Sequence, residues 1–209
     1  MKKIIFLAVL LIACYFNNLL AQDVSSVFSS KEMVWYGVDF SNVKLVGDAV
    51  GFANLNDIRD RQFKAINDLF ISEPDKYNPK KAFKKDKVTN DLSIVENRNL
   101  TPDINTLLVQ NENTLSKETI DAMIKEYPIN DGITGIGACL IMENLVKTEK
   151  NPHATLYVVF FDIATKNVLI LEKVTSKAGG FGFRNFWAKT VFETLNNFSM
   201  PALENKYKK

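Results

Sequence analysis

The apolar run Leu156–Ile163 (LYVVFFDI) limits the fold of this chain more than any other stretch. Every residue of the run except Asp162 is aliphatic or aromatic. Successive side chains of a β-strand point to opposite faces of the sheet, so a strand that is apolar at consecutive positions is covered on both faces. The run therefore predicts a central strand in a sheet that helices cover.

Turn signals at residues 151–153 and 165–167 separate this run from two neighbouring apolar runs, Ile133–Val146 and Val168–Val174. Short turns join antiparallel neighbours, because a parallel connection needs a dozen or more residues. The three runs therefore predict an antiparallel three-strand meander at the C-terminal end of the sheet.

The rest of the chain alternates between strand and helix patterns. Predicted strands are Val34–Phe40, Leu92–Glu96 and Thr106–Gln110, and predicted helices are Leu55–Ser72, Lys117–Tyr127 and Arg184–Asn197. These elements predict an α/β fold: one mixed sheet covered by about three helices, forming a single domain over residues 22–209. The lysine-rich segment Lys76–Lys87 also contains acids and is interpreted as a solvated loop or short helix, with a patch for an acidic partner or anionic surface as the alternative.

The first 21 residues have the order of a secretory signal peptide. Lys2 and Lys3 precede the apolar run Ile4–Phe16, and a small-residue exit ends at Ala21. The run is shorter than the roughly 20 residues that a membrane-spanning helix needs. We therefore expect cleavage after Ala21, no transmembrane span in the mature chain, and an exported protein of the periplasm or the outer membrane.

A second interpretation of the same segment is a lipid anchor at Cys14. Residues 11–14 (LIAC) resemble the box in which bacterial lipoproteins are lipidated on cysteine. Apolar residues continue beyond Cys14 to Leu20, however, which favours simple cleavage after Ala21.

Composition narrows the function classes further. Removal of residues 1–21 lowers the count of Lys and Arg from 26 to 24, which equals the 24 acidic residues. A net charge of zero lacks the basic excess of a general nucleic-acid-binding protein. The mature chain would also keep one cysteine, Cys139, so no intrachain disulfide is expected.

No familiar catalytic or metal-binding constellation emerges. Cys139 and His153 could form a thiolate pair, but Cys139 lies in an apolar strand, and we expect His153 to be exposed in a turn. The polar group Asn54–Asp60 falls where residues cap a helix, which favours capping over calcium binding. Two Cys or His residues are too few for structural zinc. Glycines at 132–137 precede a strand rather than a helix, unlike a dinucleotide-binding motif. The sequence predicts no catalytic residue, metal or cofactor.

One loop is a candidate binding site. Residues 177–187 (KAGGFGFRNFW) join the last predicted strand to the last helix. Glycines allow backbone amides to approach an anion at a helix N-terminus, and aromatic and arginine side chains are frequent anchors of protein interfaces. The candidate binding residues are Lys177, Gly179, Gly180, Gly182, Arg184 and Trp187. The structural alternative is a turn whose aromatic residues fold into the core.

The element order, the signal peptide and the segment FDIATKNVLI resemble one known group. It comprises the periplasmic α/β domains of the curli-secretion lipoprotein, the penicillin-binding-protein activator lipoprotein and related envelope lipoproteins. In that group a strand ending in Asp, a tight turn and an apolar return strand precede a C-terminal helix, and Asp162, Thr165, Lys166 and Val168–Leu171 match those places. The resemblance implies a binding or assembly module rather than an enzyme.

Three functions remain open on this basis. The leading hypothesis is a non-enzymatic envelope protein that binds a protein partner or self-associates. The alternative is a periplasmic protein that binds a small ligand or lipid in an apolar pocket under the sheet. The third is a hydrolase that uses only an Asp/Glu pair, since such pairs have no fixed spacing in sequence. An exposed apolar patch, a closed cavity or facing carboxylates would distinguish the three.

Overall fold

The computed structural model describes residues 22–130, 132–148 and 150–207. Its strands are β1 Glu32–Asp39, β2 Lys44–Val46, β3 Lys87–Asn90, β4 Leu108–Val109, β5 Ile136–Val146, β6 His153–Asp162 and β7 Val168–Lys177. Its helices are α1 Val24–Ser29, α2 Leu55–Asp57, α3 Phe63–Asn67, α4 Leu69–Ser72, α5 Pro79–Ala82, α6 Ser93–Arg98, α7 Ile104–Leu107, α8 Lys117–Lys125, α9 Gly182–Asn197 and α10 Met200–Tyr207. A π-helical turn, Ile58–Gln62, joins α2 to α3. The predicted mixed α/β class is confirmed.

The seven strands form one sheet around β5. On one side of β5, β1 pairs in parallel with its first half and β2 with its last residues. β3 and β4 continue this side, in parallel with β1 and β2 respectively. On the other side, β6 runs antiparallel to β5 along its length, and β7 runs antiparallel to β6. β1 and β2 therefore occupy one strand position, interrupted at residues 40–43.

Both faces of the sheet are covered. Phe160 and Phe161, adjacent on β6, are fully buried in two different hydrophobic clusters. Phe160 packs edge-on against Phe83 at a ring distance of 5.1 Å, whereas Phe161 packs against Tyr127 at 6.0 Å. The prediction that Leu156–Ile163 is covered on both faces is confirmed, because alternate residues of one strand belong to the two clusters.

Two buried asparagines replace the missing strand beside the end of β1. The amide of Asn67 accepts a hydrogen bond from Val38 N at 2.7 Å and donates one to Val38 O at 2.9 Å. Asn99 accepts from Phe40 N at 2.6 Å and donates to the same Val38 oxygen at 3.0 Å. Gly37, at a φ of +88°, leaves the space for this approach, since a Cβ there would overlap Asn67 Oδ1. The backbone groups that β3 no longer pairs are thus satisfied.

One strand prediction is wrong, and a second is confirmed only at Leu108–Val109. Leu92–Glu96 was expected as a strand but lies mostly in the helix Ser93–Arg98, whose Ile94 and Val95 are buried. Most of Thr106–Gln110 is likewise not strand: the helix Ile104–Leu107 precedes a two-residue strand, Leu108–Val109. A segment of five residues, only three of them apolar, is too short to distinguish the two periods, and packing against the sheet selects the helix here.

The number of helices also differs from the prediction. The described residues hold ten α-helices rather than about three, and most are shorter than two turns. The predicted helices at Leu55–Ser72, Lys117–Tyr127 and Arg184–Asn197 are present with small changes, but α1, α10 and the strands β2 and β3 were not predicted. These elements are too short or too polar for a periodic pattern to detect.

The predicted signal peptide and the alternative lipid anchor at Cys14 lie outside the described residues. Among the helices that the structure describes, none has the length and apolar character needed to cross a membrane.

Candidate functional site

The glycine loop, residues 178–183, meets a second loop, residues 48–54, at the surface. Phe52 of the second loop stacks on Trp187 at a ring distance of 5.8 Å and an angle of 10°. Trp187 is only 1% exposed, so its ring holds the two loops together and forms the floor of the site rather than a free anchor. The packing therefore supports the interpretation in which Trp187 folds into the core.

Glycine is required in this loop for backbone reasons. Gly180 and Gly182 have φ values of +119° and +74°, a conformation that residues with a Cβ rarely adopt. Gly179 N donates a hydrogen bond to Phe186 O at 3.1 Å, which folds the loop back onto the first turns of α9. The glycines thus permit the path that brings Phe181 to the tip of the loop.

Two apolar side chains project from the paired loops. Phe181 is 93% exposed and Val50 is 89% exposed. Between the loops lies an open hollow of about 350 Å³, whose apolar lining includes Val50, Phe183 and Phe186. A second hollow of about 460 Å³ lies on the other side of Phe181. We call Val50, Phe181, Phe183, Phe186, Lys147 and Arg184 the paired-loop surface.

Two cations lie on the paired-loop surface. Lys147 Nζ donates to Gly51 O at 3.0 Å and lies 5.5 Å from the Phe186 ring. Arg184 is exposed and donates from Nε to Asn185 Oδ1 at 3.1 Å. In the described part of the chain no ion pair joins Lys147, Arg184 or Lys189 to a carboxylate. The acids nearby are engaged: Glu73 pairs with Lys76 at 3.4 Å, and Asp48 accepts a hydrogen bond from Gly51 N at 2.7 Å.

The structure separates the predicted site residues into three groups. Gly180, Gly182 and Trp187 line the first hollow, whereas Gly179 and Arg184 line the second, with Gly180 shared between them. Lys177 ends β7, opposite His153, and lines neither hollow. Val50, Phe52 and Lys147 were not predicted, because their positions near the glycine loop arise from contacts distant in sequence.

α9 begins without a side-chain cap. Phe181 occupies the N-cap position, and its side chain accepts no hydrogen bond from the first turn. The positive end of a helix dipole therefore lies beside Arg184 at the exposed end of the loop. This end of the site is electropositive because of both the backbone dipole of α9 and the side chain of Arg184.

The Cys139–His153 pair considered from sequence is not formed. Cys139 lies opposite Val159 and His153 opposite Val146, seven residues further along β5, which is about 23 Å at the usual rise of a strand. Cys139 is fully buried, and burial raises the pKa of its thiol. The prediction that His153 is exposed is wrong: its side chain is 13% exposed, with Nδ1 2.9 Å from Asn151 O.

A buried polar cluster at the end of β1 was not predicted. Asp39 is fully buried and accepts hydrogen bonds from Arg98 Nε at 2.9 Å and Tyr127 OH at 3.0 Å. Burial, followed by the charge of Asp39, raises the pKa of Tyr127. Burial opposes the charge on Arg98, but Asp39 outweighs it and the pKa of Arg98 is raised. The signal in the sequence was the acid that interrupts the apolar run VWYGVDF.

A second buried carboxylate sits at a bulge in β5. Glu143 accepts hydrogen bonds from Leu115 N at 2.8 Å and Tyr157 OH at 3.1 Å, and Lys173 Nζ lies 2.6 Å from its other oxygen. The next residue, Asn144, bonds both backbone groups of Asn113, at 2.9 and 2.8 Å. These contacts fasten the segment before α8 to the central strand and are structural.

The capping role expected of the Asn54–Asp60 group is confirmed for Asn54. Asn54 Oδ1 accepts a hydrogen bond from Asp57 N at 3.1 Å at the start of α2. Asp57 pairs with Arg61, and Asp60 pairs with Arg59. Within the described residues no three His, Cys, Asp or Glu side chains are grouped so as to hold a metal ion.

No protein-family model matches the chain, and no curated protein sequence matches it either. The resemblance to the envelope lipoproteins stays a prediction.

Proposed function

We propose that this chain is a non-enzymatic, exported envelope protein that acts as an interaction or assembly module and binds its partner through the paired-loop surface. The observation that carries the proposal is Phe181, which is 93% exposed at the tip of a loop whose path its glycines permit. Large aromatic side chains beside arginine are typical anchors of protein interfaces. The loop thus presents a large apolar side chain to a partner without any rearrangement of the core.

The charge of the paired-loop surface indicates the chemistry of the partner. Lys147, Arg184 and the uncapped start of α9 make the rim electropositive. A partner segment with an apolar residue flanked by acids would fill the hollow beside Val50 and satisfy these charges. We therefore expect an acidic, apolar segment of an envelope protein, or of a second copy of this chain.

Side chains fill the space under the sheet, which favours an interaction module over a protein that binds a small ligand or lipid there. Under the sheet, where a pocket would lie, Phe83 packs against Phe160 at 5.1 Å and against Phe198 at 5.4 Å. The five hollows described on the surface are open and lined by both polar and apolar groups. Ligand pockets are usually concave, largely enclosed and mostly apolar.

The buried carboxylates do not favour a hydrolase. Asp39 is engaged by Arg98 and Tyr127, and Glu143 by Lys173 and Tyr157. A glycosidase-type pair needs two carboxyl groups facing a substrate cleft. Both of these acids instead lie under covering elements and hold them to the sheet.

The test compares binding and stability in matched variants. Phe181→Ser and Arg184→Ala are purified with Ile71→Ser, which removes an apolar residue exposed on α4, as the control. We expect Phe181→Ser and Arg184→Ala to lose most of the partner recovered from envelope extract by the parent, while Ile71→Ser retains it. Arg184→Ala removes a cation from a helix start, so its stability to denaturant should be unchanged or slightly higher.

Two outcomes would contradict the proposal. Equal recovery of the same proteins by all four chains would exclude the paired-loop surface as the binding site. A loss of recovery that merely follows a loss of stability would assign these residues to architecture. Sedimentation of the purified parent distinguishes a second copy of the chain from another protein as the partner.

A further inference from the structure

The described chain begins at a buried carboxylate. Gln22 N lies 2.9 Å from Asp162 Oδ2, and Asp162, at the end of the central strand β6, is only 1% exposed. The same carboxylate accepts hydrogen bonds from Ala164 N at 3.0 Å and from Thr165 Oγ1 at 2.9 Å. All three donors are uncharged as long as Gln22 is joined to Ala21 by a peptide bond.

The lysines of the same turn do not neutralise Asp162. Lys166 Nζ donates to Tyr127 O at 2.6 Å, and Lys125 Nζ donates to Thr165 O at 3.0 Å and to Asn167 Oδ1 at 2.8 Å. Among the residues that the structure describes, no Lys, Arg or His forms an ion pair with Asp162. A buried charge without an opposite charge is costly, so a positive group at this place would be strongly favoured.

The segment after Gln22 is fixed in position. Asp23 caps α1 by accepting from Ser26 N at 2.9 Å, and Val27 of α1 is fully buried. The buried ammonium of Lys85 donates to Val27 O at 2.5 Å and to Ser30 O at 2.8 Å, which closes the other end of the helix. Both ends of α1 are thus tied down, and Gln22 N is held against the carboxylate.

We propose that export processing completes this site: cleavage before Gln22 makes an α-ammonium group that pairs with the buried carboxylate of Asp162. A signal peptidase adds water across the Ala21–Gln22 peptide bond. The C–N bond breaks, the hydroxyl goes to the Ala21 carbonyl carbon, and the water's proton goes to the Gln22 nitrogen. The new amine takes one more proton from solvent at neutral pH. The inference rests on the proposed export, but not on partner binding.

The pair would also protect the new N-terminus from a side reaction. An N-terminal glutamine cyclises when its amine attacks its own side-chain amide and expels ammonia. A protonated amine has no lone pair for this attack, and pairing with Asp162 favours the protonated form. The processed chain should therefore keep Gln22 in its open form.

The experiment uses the full chain, exported in a bacterial host and purified from its envelope. Intact mass and N-terminal peptide mapping define the terminus. The α-amine is then labelled with a limiting acylating reagent over a range of pH, in the parent, in Asp162→Asn and in Asp23→Asn. Asp23→Asn removes the same charge next to Gln22 but keeps the cap, because asparagine caps as well as aspartate.

We expect the Gln22 amine of the folded parent to titrate above the usual range of about 7.7–8.0. In Asp162→Asn, the Gln22 amine should be labelled about tenfold faster near pH 7.5 for each unit by which the pKa of that amine falls. This variant should also lose ammonia faster on storage. Asp23→Asn should behave as the parent in both measurements. If Asp162→Asn does not accumulate, the parent in its native and urea-unfolded forms gives the same comparison.

Each contrary result has a distinct meaning. Equal labelling of parent and Asp162→Asn, or equal effects of the two variants, would overturn the specific pair. A mature chain that begins at lipidated Cys14 would overturn it while leaving export in place. A chain that retains Met1 would overturn both the pair and the proposed export.

Discussion

The two asparagines beside β1 allow a quantitative test of how the sheet ends. In the variants Asn67→Ala and Asn99→Ala, one side-chain amide is removed from the Val38–Phe40 backbone. Asn67→Ala leaves Val38 N–H without its 2.7 Å partner, and Asn99→Ala leaves Phe40 N–H without its 2.6 Å partner. Each variant orphans one buried donor, which costs about 1–3 kcal/mol.

The carbonyl of Val38 makes the two changes interdependent. It accepts from Asn67 Nδ2 at 2.9 Å and from Asn99 Nδ2 at 3.0 Å. Either single variant leaves this oxygen one donor, and only the double variant removes both. We therefore expect the double variant to lose more stability than the two single variants lose together. The additional loss should be about 1–3 kcal/mol, which is the cost of leaving one buried acceptor without a donor.

Urea unfolding of the parent, both singles and the double variant measures this coupling. Asn97→Ala is the matched control, because Asn97 is an exposed asparagine on α6, the helix that ends just before Asn99. It should change the free energy of unfolding by no more than about 0.5 kcal/mol. Additive losses within about 0.3–0.5 kcal/mol, or a double variant no worse than one single, would refute the shared-carbonyl argument.

Three further predictions concern the two cores. Phe160→Ala and Phe161→Ala should each cost about 3–5 kcal/mol in denaturant unfolding, since both rings are fully buried on opposite faces of β6, and parent-like stability of both would contradict the central-strand assignment. Gly137→Ala places a Cβ 2.5 Å from the Phe161 ring and should lower the free energy of unfolding by about 1–3 kcal/mol. Adding Phe161→Leu to this variant should recover part of that loss, and no recovery would argue against the clash. Cys139 should react with a thiol reagent only after unfolding, because burial raises its pKa and blocks access; rapid labelling of the folded chain would restore it as a reactive group.

The long apolar strands could be predicted from sequence because their pattern is independent of distant partners. Leu156–Ile163 shows by its own composition that both faces are covered, and β6 is central with Phe160 and Phe161 in different clusters. The short elements carried no such signal. β2 and β4 have three and two residues and exist only because β5 and β2 pair with them.

The wrong strand at Leu92–Glu96 has a specific physical cause. Its five residues are too few to distinguish a strand from a helix, yet Asn99 must reach Val38 and Phe40 to pair their backbone groups. A helix over Ser93–Arg98 brings Asn99 to that position and still buries Ile94 and Val95. The requirement of the β1 backbone, sixty residues away in sequence, overrides the local pattern.

The glycine loop shows how far the residues of the candidate site could be predicted. In α9, Trp187, Val191 and Leu195 recur every four residues and are buried, so helical periodicity alone places Trp187 in the core. Phe181 precedes the helix, where no period applies, and its exposure follows from the positive φ angles of Gly180 and Gly182. The aromatic residue best placed to meet a partner is therefore the one for which the sequence pattern makes no prediction. Val50 and Lys147, which line the adjoining hollow, come from segments more than thirty residues away from the glycine loop, so the paired-loop surface exists only once the sheet has formed.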